Sequence, residues 1–160
     1  MERELRDQLL RLLENNSKLS SQDLAVMLGA TVEEVANEIS VLEQEHVICG
    51  YHTLIDWNKI NDDVTALVEL RVTPQGGDGY QKLAERIKEF PQVVTLYLMS
   101  GAYDFLVMVK GKTLKEISLF VSGKLASIHE VQNTTTHFTL TKYKEFGVDF
   151  EVEKVDERMV

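Results

Sequence analysis

Residues 19–44 read LSSQDLAVMLGATVEEVANEISVLEQ and contain the start and stop signals of two consecutive helices. Thr31 stands three residues before Glu34, the spacing of a capping box, in which the hydroxyl accepts a backbone N–H and the carboxylate returns to the capping residue. Ser20 stands three residues before Asp23, which is a similar helix-start signal. A Gly-Ala pair lies between these two predicted helix starts. The stretch therefore predicts two short helices joined by a tight turn.

A third helix precedes these two, because leucines recur at helical spacing near the start of the chain. These leucines are Leu5, Leu9, Leu12 and Leu13. In the last of the three helices, the expected inward stripe is Val32, Val35, Ala36, Ile39 and Leu42. Three short helices, the last two around a tight turn, are typical of a helix-turn-helix, whose final helix is the recognition helix.

Residues 47–55, VICGYHTLI, are rich in β-forming side chains and predict a strand that leaves the three helices. With this strand, the first domain is expected to be winged-helix-like and to occupy residues 1–55. The polar residues 56–63 are interpreted as a linker.

Beyond the linker, strand and helix signals alternate in mixed order. Strands are predicted at 66–72, 93–99, 105–110 and 131–140, and helices at 80–90 and 114–126. The order β-α-β-β-α-β is that of the ferredoxin-like fold. We therefore predict an α+β protein whose second domain spans residues 64–142, followed by a charged tail, 143–160, that is extended or disordered.

Composition narrows the class of protein further. One cysteine, Cys49, excludes an intramolecular disulfide framework, and the first residues lack the apolar core of a secretory signal. No apolar run approaches the roughly 18 residues of a membrane helix. The four histidines have no metal-ligand spacing, so neither a metal nor a cofactor is expected. These observations predict a cytoplasmic protein that binds no membrane.

Three segments resemble the Lrp/AsnC, or feast/famine, regulators. Residues 19–25, LSSQDLA, are similar to the start of that family's second helix. Residues 39–51, ISVLEQEHVICGY, resemble its pattern I-x-x-L-E-x-x-G-V-I-x-G-Y, and residues 100–104, SGAYD, resemble its T-G-x-Y-D turn between two strands. The resemblance covers about residues 9–144.

The resemblance implies a transcriptional regulator that binds double-stranded DNA and a small effector such as an amino acid. It also implies a homodimer that pairs through its sheets and can associate into an octamer, and no enzymatic activity. The residues expected to contact DNA are Lys18, Ser20, Ser21, Thr31, Glu33, Asn37, Glu38, Ser40 and Val41. Those expected to bind the effector are Ser100, Gly101, Ala102, Tyr103, Asp104, Thr134 and Thr136.

Chemistry suggests roles at the effector turn. Gly101 permits a positive φ or a close ligand approach, and Asp104 could accept a hydrogen bond from an α-ammonium group. The hydroxyls of Thr134 and Thr136 would suit a ligand carboxylate. The alternative is a simple hairpin glycine, a turn aspartate and a threonine-rich strand.

The charge conflicts with DNA binding. The chain has 17 basic and 26 acidic residues, and residues 1–55 alone have a net charge of −6 from four basic and ten acidic side chains. No Lys or Arg occurs in residues 19–58, whereas DNA affinity comes largely from neutralising phosphates. Two alternatives therefore stay open: an oligomeric ligand-binding module that acts through protein partners, with a helix-turn-helix that has lost DNA binding, and a small-molecule enzyme on the same scaffold.

Overall fold

A computed structural model describes residues 2–60 and 63–151 of the chain. The chain divides into two compact units, Met1–Ile55 and Asp56–Val160. Within the described ranges, no helix is both long enough and apolar enough to cross a membrane.

The first unit consists of three helices: α1 (Arg3–Asn15), α2 (Ser21–Leu28) and α3 (Val32–Gln44). All three predicted helices are confirmed. Their buried surfaces form one apolar cluster, which contains Leu9, Leu13, Leu24, Ala25, Val35 and Leu42. Burying these side chains together holds the short helices against one another, since helices of this length are marginal in isolation.

Both predicted capping boxes are present. The Ser20 hydroxyl accepts from the backbone N–H of Asp23 at 3.1 Å, and the Asp23 carboxylate accepts from the N–H of Ser20 at the same distance. Thr31 and Glu34 repeat the arrangement at 3.2 and 2.9 Å. Hydrogen bonds to these carboxylates lower the pKa of Asp23 and of Glu34. Between the boxes, Gly29 ends α2 in the left-handed conformation at φ 65°.

The buried face of α3 differs from the predicted stripe. Val32 and Ala36, expected inside, are exposed, and Glu38, which is not part of the predicted stripe, is buried. Val35 and Leu42 are fully buried as predicted. Because Glu38 follows Val35 by three residues and precedes Leu42 by four, it falls on the same side of the helix as both.

The predicted strand at 47–55 is wrong. All nine residues lie outside regular secondary structure. The first unit therefore lacks the strand on which the winged-helix-like prediction depended. A strand needs a hydrogen-bonded neighbour, and the backbone N–H groups of Val47 and Ile48 instead donate to the carbonyl of Leu42 at 2.9 and 3.0 Å. His46, just before them, has φ 56°. It occupies the position where the Lrp/AsnC pattern has glycine.

The second unit alternates strands and helices as predicted. Its main elements are β1 (Val64–Val72), α4 (Gly79–Lys88), β2 (Val93–Leu98), β3 (Phe105–Gly111), α5 (Leu114–Phe120) and β4 (Val131–Phe138). The sheet is antiparallel in the order β2-β3-β1-β4. The predicted α+β class with a ferredoxin-like β-α-β-β-α-β unit is confirmed.

Only one face of this sheet carries the core. Ala66, Val68 and Leu70 of β1 are fully buried, and in register with them on β3 are Val109, Val107 and Phe105, also buried. Side chains of α4 and α5 complete the cluster. The opposite side, here called the open face, carries Leu67, Glu69 and Arg71 of β1, Leu106 and Met108 of β3, and Asn133, Thr135 and His137 of β4.

Three segments depart from the predicted outline. The predicted linker contains a 3-10 turn at Trp57–Lys59. The predicted helix 114–126 continues beyond α5 as a π-helical stretch, Val121–Leu125. In the tail that was expected to be extended or disordered, β5 (Lys144–Glu145) and β6 (Val148–Asp149) form a two-stranded ladder. The linker residues 61–62 and the tail residues 152–160 lie outside the described residues.

Candidate functional site

One stripe of α3 is accessible along its length. Glu33, Asn37, Ser40 and Val41, all expected contact residues, are exposed. Gln44 is exposed on the same stripe. Their spacing of i, i+4, i+7, i+8 and i+11 places them on one side of the helix. The side of α3 opposite the core is therefore polar and open to a partner.

Other expected contact residues are already engaged. The Ser20 hydroxyl donates to the Asp23 carboxylate at 2.5 Å, and the Thr31 hydroxyl donates to that of Glu34 at 2.8 Å. Both hydroxyls thus serve the caps. Ser21 is half-buried, whereas Lys18 is exposed before α2.

Glu38, one of the residues expected to contact DNA, is instead largely buried against α1. Its side chain is 10% exposed, and its Oε1 lies 3.2 Å from Nε of Arg6 on α1. Arg6 also pairs with Glu45, the residue that follows α3. Sequence spacing does not reveal this arrangement, because Arg6 and Glu45 are 39 residues apart.

In the second unit, the turn 100–104 joins β2 to β3. Gly101 has φ 141°, a conformation that favours glycine. Asp104 closes the turn: its backbone N–H donates to the Leu70 carbonyl, and its carboxylate accepts from Val72 N at 2.8 Å and from the Tyr80 hydroxyl at 3.2 Å. Burial, and then the hydrogen bond to this carboxylate, raises the pKa of Tyr80. Both carboxylate oxygens of Asp104 are thus used within the unit.

A cavity of about 260 Å³ lies beside this turn, at one end of the open face. It is lined by Glu69, Arg71, Ala102, Tyr103, Asn133 and Thr135. Of the predicted effector residues, the structure brings Ala102 and Tyr103 to the cavity. Ser100, Gly101 and Asp104 belong to the same turn but are not among the lining residues.

The structure places the two predicted threonines of β4 away from this cavity. Thr134 and Thr136 pair in register with Leu70 and Val68, whose side chains point into the core. Side chains opposite one another in an antiparallel pair share a face. Thr134 and Thr136 therefore lie on the core side, and their neighbour Thr135 lines the cavity.

Sequence reasoning missed the two charged residues of the cavity. Glu69 and Arg71 are two positions apart on β1, so both project onto the open face. Arg71 donates through Nε to the Ala102 carbonyl at 2.8 Å, and its terminal nitrogens make no hydrogen bond with the described residues. Glu69 lies 3.1 Å from Nε2 of His137. The alternation of β1 was the available signal, since its fully buried residues Ala66, Val68 and Leu70 all have the other parity.

A larger depression of about 660 Å³ lies in the first unit, between α1 and residues 47–52. Its lining mixes apolar side chains such as Leu10 and Ile48 with Asp7 and Arg11. Over the described ranges, no group of three or more His, Cys, Asp or Glu is placed to hold a metal ion.

Sequence comparison identifies close relatives. The Lrp/AsnC ligand binding domain family matches residues 65–148. The chain is 42% identical over 155 residues to YugG, an HTH-type transcriptional regulator of Bacillus subtilis, and the match covers 96% of this chain and 93% of that protein. It is 30% identical to the Bkd operon transcriptional regulator of Pseudomonas aeruginosa, over 82% of this chain and 86% of the relative.

Solved structures agree over almost the whole chain. An AsnC family transcriptional regulator from Agrobacterium tumefaciens has a TM-score of 0.72 at 29% identity, covering 95% of this chain and 96% of that one. A transcriptional regulator from Neisseria meningitidis, in complex with L-Met, has a TM-score of 0.74 at 19% identity, covering 96% and 97%. The chain therefore belongs to the Lrp/AsnC family of transcriptional regulators.

Proposed function

We propose that this regulator binds duplex DNA through α3 and an amino acid at the cavity beside the 100–104 turn. The observation that carries the proposed effector site is that Glu69 and Arg71, which have opposite charges, both line the cavity next to that turn. DNA binding is supported by the two capped helices on either side of Gly29. The second of them, α3, exposes the stripe from Glu33 to Gln44.

On DNA, α3 would lie in the major groove. The Asn37 amide can pair with both the N6 and N7 groups of adenine, and the Ser40 hydroxyl can meet either type of base edge. Phosphate contacts would come from Lys18 and from Arg3 and Arg11 of α1, whose side chains form no ion pair with the described residues. Dimerisation would double this small set of cations.

Binding to a pool of random duplexes at about 50 mM and about 200 mM salt tests the DNA half, because phosphate-driven association weakens steeply as salt rises. We expect binding at the lower salt that falls with increasing salt. A chain that retains no duplex even at the lower salt would exclude ordinary DNA binding.

The effector class follows from opposite charges in the cavity. The free terminal nitrogens of Arg71 can bind an α-carboxylate, and the Glu69 carboxylate can bind an α-ammonium. Asn133 and Thr135 add neutral hydrogen-bonding groups. A zwitterionic amino acid supplies both charges, and the Neisseria structure of the same fold is itself a complex with L-Met.

A second copy of the chain would cover the open face. Leu67, Leu106 and Met108 are half-buried there, and Tyr97 is 56% exposed. The cavity lies at the end of this face, so a bound effector would bias the pairing of two sheets and, through it, assembly towards an octamer. Effector binding and assembly would be coupled because the effector binds one assembly state more tightly than another. Sedimentation with and without amino acids tests it: we expect a dimer or larger, with a ligand-dependent distribution.

One observation favours a second function. Residues 1–55 have a net charge of −6, and such a surface also suits a basic protein partner. In that case the effector would still bind, and the chain would retain no duplex at low salt. If the proposed DNA binding is correct, the protein acts in the cytoplasm as a regulator without enzymatic activity.

A further inference from the structure

The acidic side chains of α3 are largely occupied within the first unit. Glu34 belongs to the second capping box, and Glu43 accepts a hydrogen bond from the Tyr51 hydroxyl at 2.8 Å. Glu38 and Glu45 both pair with Arg6. The hydrogen bonds leave Glu34 and Glu43 charged, whereas Arg6 offsets one of the two negative charges of Glu38 and Glu45.

Arg6 forms ion pairs with both Glu38 and Glu45. Its side chain is 32% exposed, whereas that of Glu38 is 10% exposed. The guanidinium bonds through Nε to Glu38 and through a terminal nitrogen to Glu45, so one planar group connects two carboxylates of different depth. Such fork geometry is specific to arginine.

We propose that Arg6 is a positioning residue for DNA binding: its positive charge offsets one of the two negative charges of Glu38 and Glu45 and so lets α3 approach phosphates, without contacting the DNA itself. This proposal rests on the proposed DNA binding. Without Arg6, Glu38 and Glu45 would each lose the ion pair that Arg6 makes with them, and losing such a pair is destabilising at a largely buried carboxylate. The negative charge of both carboxylates would then oppose the approach of phosphates.

Charge rescue is the direct test. We expect the R6Q variant to bind a random duplex pool about three- to tenfold more weakly at low salt, because two like charges near the phosphates are only partly screened. In R6Q/E38Q/E45Q neither carboxylate remains, and we expect affinity at or above that of the unchanged protein. The matched control, R6Q/E4Q/E14Q, has the same formal charge but keeps Glu38 and Glu45, and we expect it to remain weak.

Urea unfolding supplies a readout that is independent of DNA. R6Q should unfold at lower urea, and R6Q/E38Q/E45Q should recover most of the loss. If only the packing of the arginine stem mattered, removing the carboxylates would restore nothing. R6K keeps the positive charge but lacks the arginine fork, so its stability in urea should fall between that of R6Q and that of the unchanged protein.

The outcomes separate the possible failures. If R6Q/E38Q/E45Q remains as weak as R6Q on DNA while the unchanged protein binds, Arg6 contacts phosphate directly and the inference is overturned alone. If R6Q/E4Q/E14Q recovers equally, the effect is net charge and the inference is again overturned. If the unchanged protein binds no duplex at low salt, the proposed DNA binding and this inference fall together.

Discussion

The carboxylate of Asp104 accepts a hydrogen bond from the backbone N–H of Val72, with 2.8 Å between Oδ2 and N. The two residues are 32 positions apart, and the bond ties the turn after β2 to the end of β1. The Tyr80 hydroxyl donates to the other oxygen, so α4 is tied to the same point. Asp104 therefore holds the turn whose residues Ala102 and Tyr103 line the cavity.

Removing this carboxylate should cost stability. In D104A the partly buried Val72 N–H loses its partner, which costs about 1–3 kcal/mol. Y80F removes only the hydroxyl bond and should cost about 0.5–1.5 kcal/mol. Trp57, the single tryptophan of the chain, lies in the second unit and reports its unfolding in urea. Equal stability of D104A and the unchanged protein would show that Asp104 does not hold the turn.

The charged residues of the cavity should control effector affinity. For an amino acid that raises the melting temperature of the unchanged protein, we expect R71A to abolish the shift, since the α-carboxylate loses its cation. T135V should weaken binding about two- to tenfold, the effect of one neutral hydrogen bond. T134V is the matched control, because Thr134 lies on the core side. If T134V bound the amino acid more weakly than T135V, the effector site would lie on the core side of the sheet and not on the open face.

The capping boxes predict a pH dependence. The pKa values of Asp23 and Glu34 are lowered on folding from ordinary values of 3.8 and 4.5. Their contribution to stability is therefore present above those values and is lost as the pH falls through the lower, folded-state values. Urea unfolding followed by helix content should show that the protein is less stable at pH values below 4.5 than at pH 7. This loss of stability should be smaller in D23N/E34Q than in the unchanged protein. E33Q, in the same turn as Glu34 but outside the box, should behave like the unchanged protein.

His46 offers a stabilising substitution. Its φ of 56° lies in the left-handed region, which costs a residue with a Cβ about 1–2 kcal/mol. H46G removes this cost and adds chain entropy to the unfolded state, so we expect a net gain of about 0.5–1 kcal/mol in urea unfolding followed by helix content. H46A, which keeps the Cβ, should give no gain. A loss of stability in H46G would mean that the imidazole makes a compensating contact.

Several features could be predicted from the sequence because their causes are local. The capping boxes at Ser20 and Thr31 depend on residues three positions apart, and the stop at Gly29 depends on the backbone of one residue. The alternation of strand and helix patterns after residue 63 fixed the β-α-β-β-α-β order in the same way. The strand expected at 47–55 failed because a strand also requires a partner, which local propensity cannot supply.

The first unit looked like an acidic helix-turn-helix from its sequence, and that outline holds. The structure decided which of its charges remain exposed, because Arg6 reaches Glu38 and Glu45 only when α1 packs near α3. In the second unit, the register between β1 and β4 decided that Thr135 and not Thr134 reaches the cavity. Local signals act over a few residues, whereas ion pairs and strand register join residues tens of positions apart, so only the folded chain settles them.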